Sequence, residues 1–307
     1  MTVAVYLSIY AGLLVFILGS VLRIVQYART PIHLRWELYP VPHEEGRRAE
    51  HGGSYFESGN WWARPRRPSR IGELRAMIPE IAFLKALWEF NRGLWYASFL
   101  FHGGLYLTVA TVLLLFVSIA LPGAAGGTTL FWLHALYNVT GYAAVAMTLM
   151  GAMGLLFRRL ADPELKNYTS PADLFNLHFF IVAYGLVAAG YLVRPENSAG
   201  AAECIRALVR FDTSVRVGRG FGAGLILSSI LLAYIPFTHM AHFIAKYFTY
   251  HLVRWDDRPN VRGGTIESRV AGHLARRPTW SAAHIGADGE KTWAQLATAN
   301  PAAEVRK

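Results

Sequence analysis

The stretch from Gly93 to Phe157 contains no Asp, Glu, Lys or Arg. A helix needs ~20 largely apolar residues to cross ~30 Å of hydrocarbon, so this stretch is long enough for two crossings. The sequence PGAAGG at Pro122 to Gly127 supplies the turn between them, because proline and glycine in series end a helix. We therefore predict membrane-spanning helices at about 94–121 and 130–157.

Three further apolar runs predict spans at about 3–25, 174–193 and 220–248. The last contains Pro236, where a kink is expected. No basic residue precedes the first run, which is also too long for a cleaved signal peptide. With 53% hydrophobic and 16% charged residues, the chain is expected to be an all-α, polytopic membrane protein. We divide it into a five-helix membrane domain, residues 1–254, and a C-terminal tail, residues 255–307.

Basic residues are distributed unevenly between the two sides of the predicted membrane domain. Of 30 Lys and Arg, 12 lie from Arg23 to Arg92, 3 from Arg158 to Lys166, 5 from Arg194 to Arg219 and 10 from Lys246 onward. With five spans, the groups of 12, 3 and 10 lie on one side of the membrane, and the group of 5 lies on the other. The positive-inside rule therefore predicts a bacterial inner-membrane protein with its N-terminus outside and its C-terminus in the cytoplasm.

This orientation puts the loop 26–93 in the cytoplasm, with an interfacial helix predicted at about 70–92 from its mixed apolar and charged periodicity. The tail is expected to be polar, loop-like and used for docking. The net charge of +10 is attributed to this topology and to attraction to membrane lipid, so no nucleic-acid partner is predicted. The single cysteine, Cys204, excludes a disulfide framework and a cysteine-ligated cluster within the chain.

Two histidines lie at similar depth from the predicted cytoplasmic side. Ionisable residues inside a bilayer are costly and usually face a bundle interior or a cofactor. His102 lies ~12 Å inside the second span at 1.5 Å per residue, and His242 lies near the end of the fifth. Facing helices can each supply one imidazole to a haem b. We predict a haem-binding bundle with His102 and His242 as axial ligands of the haem iron; alternatively, each only ties two helices together.

Neighbouring glycines are expected to let the flat haem approach the backbone. They are Gly103 and Gly104 beside His102, and Gly220, Gly222 and Gly224 on the outer side.

Other histidines have several interpretations. His239 is one turn before His242, so only one of them is expected to ligate the same iron. His239 or His178 could bind a second group; His178 could contact a quinone carbonyl or a haem propionate, or be structural. His134 could accept a proton from quinol, but a plain interfacial role is favoured. The remaining histidines are interpreted as solvated or interface residues: His33, His43, His51, His251, His273 and His284. Arg35, Glu37 and Glu44 are interpreted as a solvated charge run, or as partners of propionates or of another subunit.

Several motifs resemble a known family. They are LFHGG at Leu100 to Gly104, FRRLADPELKNYTSPADLFNL at Phe157 to Leu177, and IPFTHMAHF at Ile235 to Phe243. Over Val3 to Trp255 the chain resembles the gamma subunit of respiratory nitrate reductase. PIHLRWELYPVPHE, KYFTYHLVRWDDRPN and GEKTWAQLA are similar to relatives that work with heterodisulfide-reductase-like iron-sulfur proteins.

The resemblance implies two haem-ligating histidines on each of the second and fifth helices. The inner pair falls on His102 and His242, but the outer positions are Val112 and Gly224, which cannot bind iron. One haem b is therefore expected, and two only if a rearranged site uses His134, His178 or His239. With a single inner haem, quinone should bind close to it.

The sequence thus predicts a membrane cytochrome b subunit of a respiratory complex that passes electrons between menaquinone or menaquinol and a cytoplasmic iron-sulfur partner subunit. By itself it is expected to be an electron-transfer subunit of a quinone-dependent oxidoreductase, with the direction of electron flow left open. Cytoplasmic arginines would steer an acidic partner. The alternatives are a two-haem quinol-oxidising subunit, a haem-free membrane anchor and a proton-conducting transporter.

Overall fold

A computed structural model describes residues 2–29, 44, 57–65, 68–121, 127–256, 258–280 and 286–299. These segments are mainly helical and contain no strand. The chain divides into two compact units, Met1–Val21 with Leu74–Ala241 and Leu22–Glu73 with His242–Lys307. Some sequence predictions lie outside the described residues: most of the PGAAGG turn, all of the motif at 31–44 except Glu44, and His33, Arg35, Glu37, His43, His51 and His284.

Five of the described helices are long and apolar enough to span a membrane, which confirms the predicted fold class. The spans are Thr2–Arg29, Arg92–Ala120, Gly127–Ala161, Pro171–Leu192 and Arg219–Phe237. In chain order the α-helices are α1 (Thr2–Arg29), α2 (Arg70–Ala82), α3 (Lys85–Phe90), α4 (Arg92–Ala120), α5 (Gly127–Ala161), α6 (Pro163–Asn167), α7 (Pro171–Leu192), α8 (Ala201–Val209), α9 (Arg219–Tyr234), α10 (His242–Phe248), α11 (Thr265–Leu274) and α12 (Trp293–Thr298).

Polar side chains cap two of the spans. The Asn91 side chain accepts a hydrogen bond from the Leu94 amide at the start of α4. At α7, Ser170 and Asp173 form a reciprocal capping box just ahead of the apolar run. Such caps satisfy backbone N–H groups that a helix leaves without a partner, which fixes where each span begins.

Glycines in the first unit let helices approach closely. A Cβ atom on Gly151 of α5 would overlap the backbone of Phe101 in α4, and one on Gly190 of α7 would overlap the backbone of Gly220 in α9. Small residues at helix interfaces are typical of membrane bundles, in which van der Waals contact drives association. One buried cluster between these helices contains Phe101, Leu177, Phe180 and Leu231.

The helix predicted at 220–248 is interrupted near Pro236, where the sequence predicts a kink. After α9, the chain makes a 3₁₀ turn at Ile235–Phe237, becomes extended at Thr238 and turns again at His239–Ala241 before α10 begins. Proline has no N–H and its ring clashes with the preceding turn, so Pro236 accounts for the break.

The helix predicted at 70–92 is also divided. Leu84 adopts a left-handed conformation with φ 52° between α2 and α3. Backbone carbonyl groups near the end of α2 accept hydrogen bonds from side chains of α4. The Trp95 indole donates to Phe83 O at 2.7 Å, and the Tyr106 hydroxyl donates to Ile81 O at 2.7 Å.

The C-terminal tail was expected to be loop-like, but its described part includes α11 and α12. The Trp293 amide donates to Arg276 O at 2.9 Å, and the Trp280 and Trp293 rings lie 6.0 Å apart. The helices are short and carry no long apolar run, which is why periodicity did not reveal them.

Candidate functional site

His102 lies on α4, half-buried within a membrane span. Its Nδ1 atom is 2.8 Å from the carbonyl oxygen of Ser98. Because a carbonyl can only accept, Nδ1 carries the proton, and Nε2 carries the lone pair that a metal would use. Histidines that bind metals usually donate the other ring N–H to such an acceptor, so this geometry fits a haem ligand.

The glycines near His102 do not have the role that the sequence suggested. A Cβ atom on Gly103 would lie 2.8 Å from Met147 Cε, and one on Gly104 would overlap Thr148. Both glycines therefore pack α4 against α5. Gly220 and Gly224 likewise face α7 rather than a cofactor. A flat cofactor at His102 has to approach a different face of α4.

Two other candidates lie on different helices of the first unit. The Nδ1 atom of His178, on α7, is 2.7 Å from Leu174 O, and the His178 side chain is exposed. His134, on α5, is also exposed, with its ring 5.3 Å from that of Tyr137.

His239 belongs to a charged cluster at the start of α7. Its Nε2 atom lies 3.3 Å from Asp173 Oδ1, and Arg159 Nη1 lies 3.8 Å from Asp173 Oδ2. The Ser170 amide and hydroxyl also donate to Asp173 Oδ2, at 2.9 and 2.8 Å. No sequence pattern marks Asp173 as a site residue. The Ser-x-x-Asp spacing indicates a helix cap, but the pairing with His239 depends on how the chain folds.

His242 lies in the second unit, where it begins α10 and is exposed. In the same unit the Nδ1 atom of His251 is 2.9 Å from Tyr247 O, and its ring stacks on that of Tyr247 at 4.2 Å. Glu44 is 6% exposed, so its interpretation as a solvated residue is wrong.

Two buried polar residues were not anticipated. Neither side-chain amide atom of Asn176 on α7 has a hydrogen-bond partner among the described residues, and the same holds for the Thr148 hydroxyl on α5. Asn176 is 5% exposed and Thr148 is 0% exposed. Each unsatisfied group costs ~1–3 kcal/mol, which bound water or a ligand can offset.

The region that contains these residues matches a known family. A sequence profile described as nitrate reductase gamma subunit matches residues 87–256, which is more than half of the chain. The chain belongs to the nitrate reductase gamma subunit family. This confirms the resemblance inferred from the motifs. No curated protein matches the chain in a sequence search.

Members of the nitrate reductase gamma family are membrane cytochrome b subunits of respiratory oxidoreductases. They bind haem b and act with catalytic and iron-sulfur subunits and with the quinone pool. The matched region includes α4, α5, α7, α9 and α10, and thus His102 and His242, whereas α1 precedes it. The family and the five apolar helices make the chain an integral membrane protein.

Proposed function

We propose that this chain is the electron-transfer subunit of a quinone-dependent oxidoreductase, with His102 and His242 as axial ligands of a haem b. The bound haem would supply one-electron redox chemistry. The observation that carries the proposal is His102 itself: an ionisable side chain in a span of the family-matched region, with its Nδ1 proton held by Ser98 O at 2.8 Å. That bond orients the ring and fixes the tautomer in which Nε2 is the atom that would bind iron.

One haem, rather than two, is the stoichiometry that we propose. Val112 and Gly224 occupy the positions where the outer ligands are expected from the family resemblance. A Cβ atom on Gly224 would lie 2.6 Å from the amide nitrogen of Val187, so any side chain there would push α9 away from α7. The close packing at Gly224 supports a single haem, because this position forms a helix contact and has no side chain that could bind a second, outer haem.

The electron partners that we propose are menaquinone or menaquinol in the membrane and a cytoplasmic iron-sulfur subunit of the heterodisulfide-reductase-like type. The motifs at 31–44, 246–260 and 289–297 support this partner type. The proposed location is a bacterial inner membrane, with the N-terminus outside and the basic tail in the cytoplasm. Exposed basic residues such as Arg269 and Arg276 on and after α11 would attract an acidic subunit, most strongly at low salt.

The proposal is tested by a reduced-minus-oxidised absorption spectrum of the purified protein, together with haem quantification. We expect a b-type α band and about one haem per chain in the wild type. His102→Ala and His242→Ala should each abolish the low-spin signal. His134→Ala is the matched control and should retain it.

The absence of a haem band from wild-type protein that was assembled with haem available would refute the proposal. It would favour a haem-free anchor or a proton-conducting protein. A band that survives both His102→Ala and His242→Ala would show that the ligands are wrong, and two haems per chain would show that a rearranged second site exists.

A further inference from the structure

Three aromatic rings form a triangle where α7 meets the end of α9. The ring centroids of Phe175 and Phe179 are 5.6 Å apart, and each lies 5.9 Å from that of Tyr234. Phe175 is 55% exposed, while Phe179 and Tyr234 are half-buried. The triangle therefore offers a partly open aromatic surface with a phenol at one corner.

The hydroxyl of Tyr234 makes no hydrogen bond with the part of the chain that the structure describes. A half-buried tyrosine usually places its hydroxyl against a polar partner. This hydroxyl is thus a polar group that a ligand can use, within an otherwise apolar surface.

The charged cluster around Asp173 lies at the same end of these elements. Asp173 precedes Phe175 by two residues on α7, and His239, its partner at 3.3 Å, follows Tyr234 after the Pro236 break. The Asp173 side chain is 16% exposed, whereas that of His239 is 59% exposed. Asp173 lies in the first turn of the α7 span, where an ionisable residue supports the hypothesis of a functional site.

We propose that the aromatic triangle of Phe175, Phe179 and Tyr234, together with His239, binds the headgroup of a lipid-soluble quinone. The flat quinone ring packs on the phenylalanine rings, and the Tyr234 hydroxyl donates to one carbonyl oxygen. His239, oriented by Asp173, forms the polar end of the site. Mostly apolar walls with a few placed polar groups are typical of small-molecule sites.

Phe179 and Tyr234 pack against the buried cluster that contains Phe101, the sequence neighbour of the proposed haem ligand His102. Phe180, the neighbour of Phe179 in the sequence, has its ring 4.9 Å from that of Phe101, and the Phe101 ring is 5.5 Å from that of His102. The proposal rests on the proposed function, since it names the place where that function's quinone binds.

The test is isothermal titration calorimetry of the purified haem-loaded protein with menadione, a naphthoquinone without the isoprenoid tail. Tyr234→Phe removes only the hydroxyl and is expected to weaken binding about tenfold, as loss of one hydrogen bond to a bound ligand would. His239→Gln should weaken it several-fold. Tyr142→Phe is the control: Tyr142 also lies on a span, and its hydroxyl likewise has no hydrogen bond to a described residue. This variant should bind menadione as the wild type does.

The site is overturned if wild-type protein does not bind menadione, if Tyr234→Phe and His239→Gln both bind within twofold of wild type, or if Tyr142→Phe loses as much affinity as Tyr234→Phe. The haem band of the same samples reports on the proposed function separately. A normal band with unchanged binding in both Tyr234→Phe and His239→Gln refutes the quinone site alone, whereas a missing band refutes the haem assignment.

Discussion

At the scale of single residues, one hydrogen bond recurs at three histidines. His102, His178 and His251 each place Nδ1 within 2.9 Å of the carbonyl oxygen four residues earlier. The bond orients the ring and fixes the tautomer, but it is a general way for a helical histidine to satisfy one nitrogen. What distinguishes His102 is its half-buried position inside a span of the family-matched region.

The sole cysteine offers a residue-scale prediction. Cys204 is 4% exposed in a cluster with Tyr6 and Phe221, and burial raises the pKa of its thiol to about 11. The thiolate is the reactive form, so the thiolate fraction near pH 8 should be about a hundredfold below that of an ordinary cysteine. We expect a maleimide to react slowly with the folded protein and rapidly after denaturation in detergent.

The raised pKa of Cys204 also makes the stability of the fold depend on pH. Because the pKa of Cys204 is higher in the folded state than in the unfolded chain, the neutral thiol stabilises the fold below pH 9, and this contribution is lost as the pH rises toward 11. Cys204→Ala should remove that pH dependence. A native protein that reacted with maleimide as fast as free cysteine would contradict the burial of this thiol.

At the scale of elements, the apolar runs predicted where spans exist because a bilayer requires long uncharged helices. Pro236 predicted a kink in the fifth span, but not the extended residue Thr238 or the second turn that follows it. The role of Gly104 was also missed, since a glycine in a sequence does not reveal which helix it contacts. For the same reason no pattern in the sequence indicated that His239 would meet Asp173, because their pairing depends on tertiary packing.

Glycine packing gives an element-scale prediction. Gly151→Ala would put a Cβ atom into the backbone of Phe101, where no flexible side chain can move aside. We expect it to separate α4 from α5 and to lower stability by roughly 1–3 kcal/mol. Gly185→Ala is the matched control within α7, because no atom lies within 4 Å of its Cβ position.

Thermal unfolding in detergent, followed by size-exclusion chromatography of heated samples, measures both variants. Gly185→Ala should be neutral or slightly stabilising, since alanine is favoured over glycine inside a helix by ~1 kcal/mol. Equal melting temperatures for Gly151→Ala and the wild type would show that the α4–α5 contact is looser than its geometry indicates.

At the scale of the whole molecule, the charge distribution predicts how the chain is oriented in the membrane. The end of α5 and its short connection to α7 hold Arg158, Arg159 and Lys166, and short loops carry most weight in the positive-inside rule. The connection between α7 and α9, with the first residue of α9, holds 5 arginines on the side predicted to be outside. They are outnumbered by the basic residues predicted on the other side, so they do not reverse the prediction.

Cysteine accessibility in cells tests this orientation. In a Cys204→Ala background, Glu164→Cys and Asn197→Cys place one thiol in each of these two connections, at positions that are both exposed. A membrane-impermeant maleimide added to spheroplasts should label Asn197→Cys and spare Glu164→Cys, and permeabilisation should expose both. The reverse pattern would put the charged cluster of Arg159, Asp173 and His239 on the outer side. Protons for quinone chemistry at His239 would then exchange with the outer compartment, and the basic tail could not receive a cytoplasmic partner.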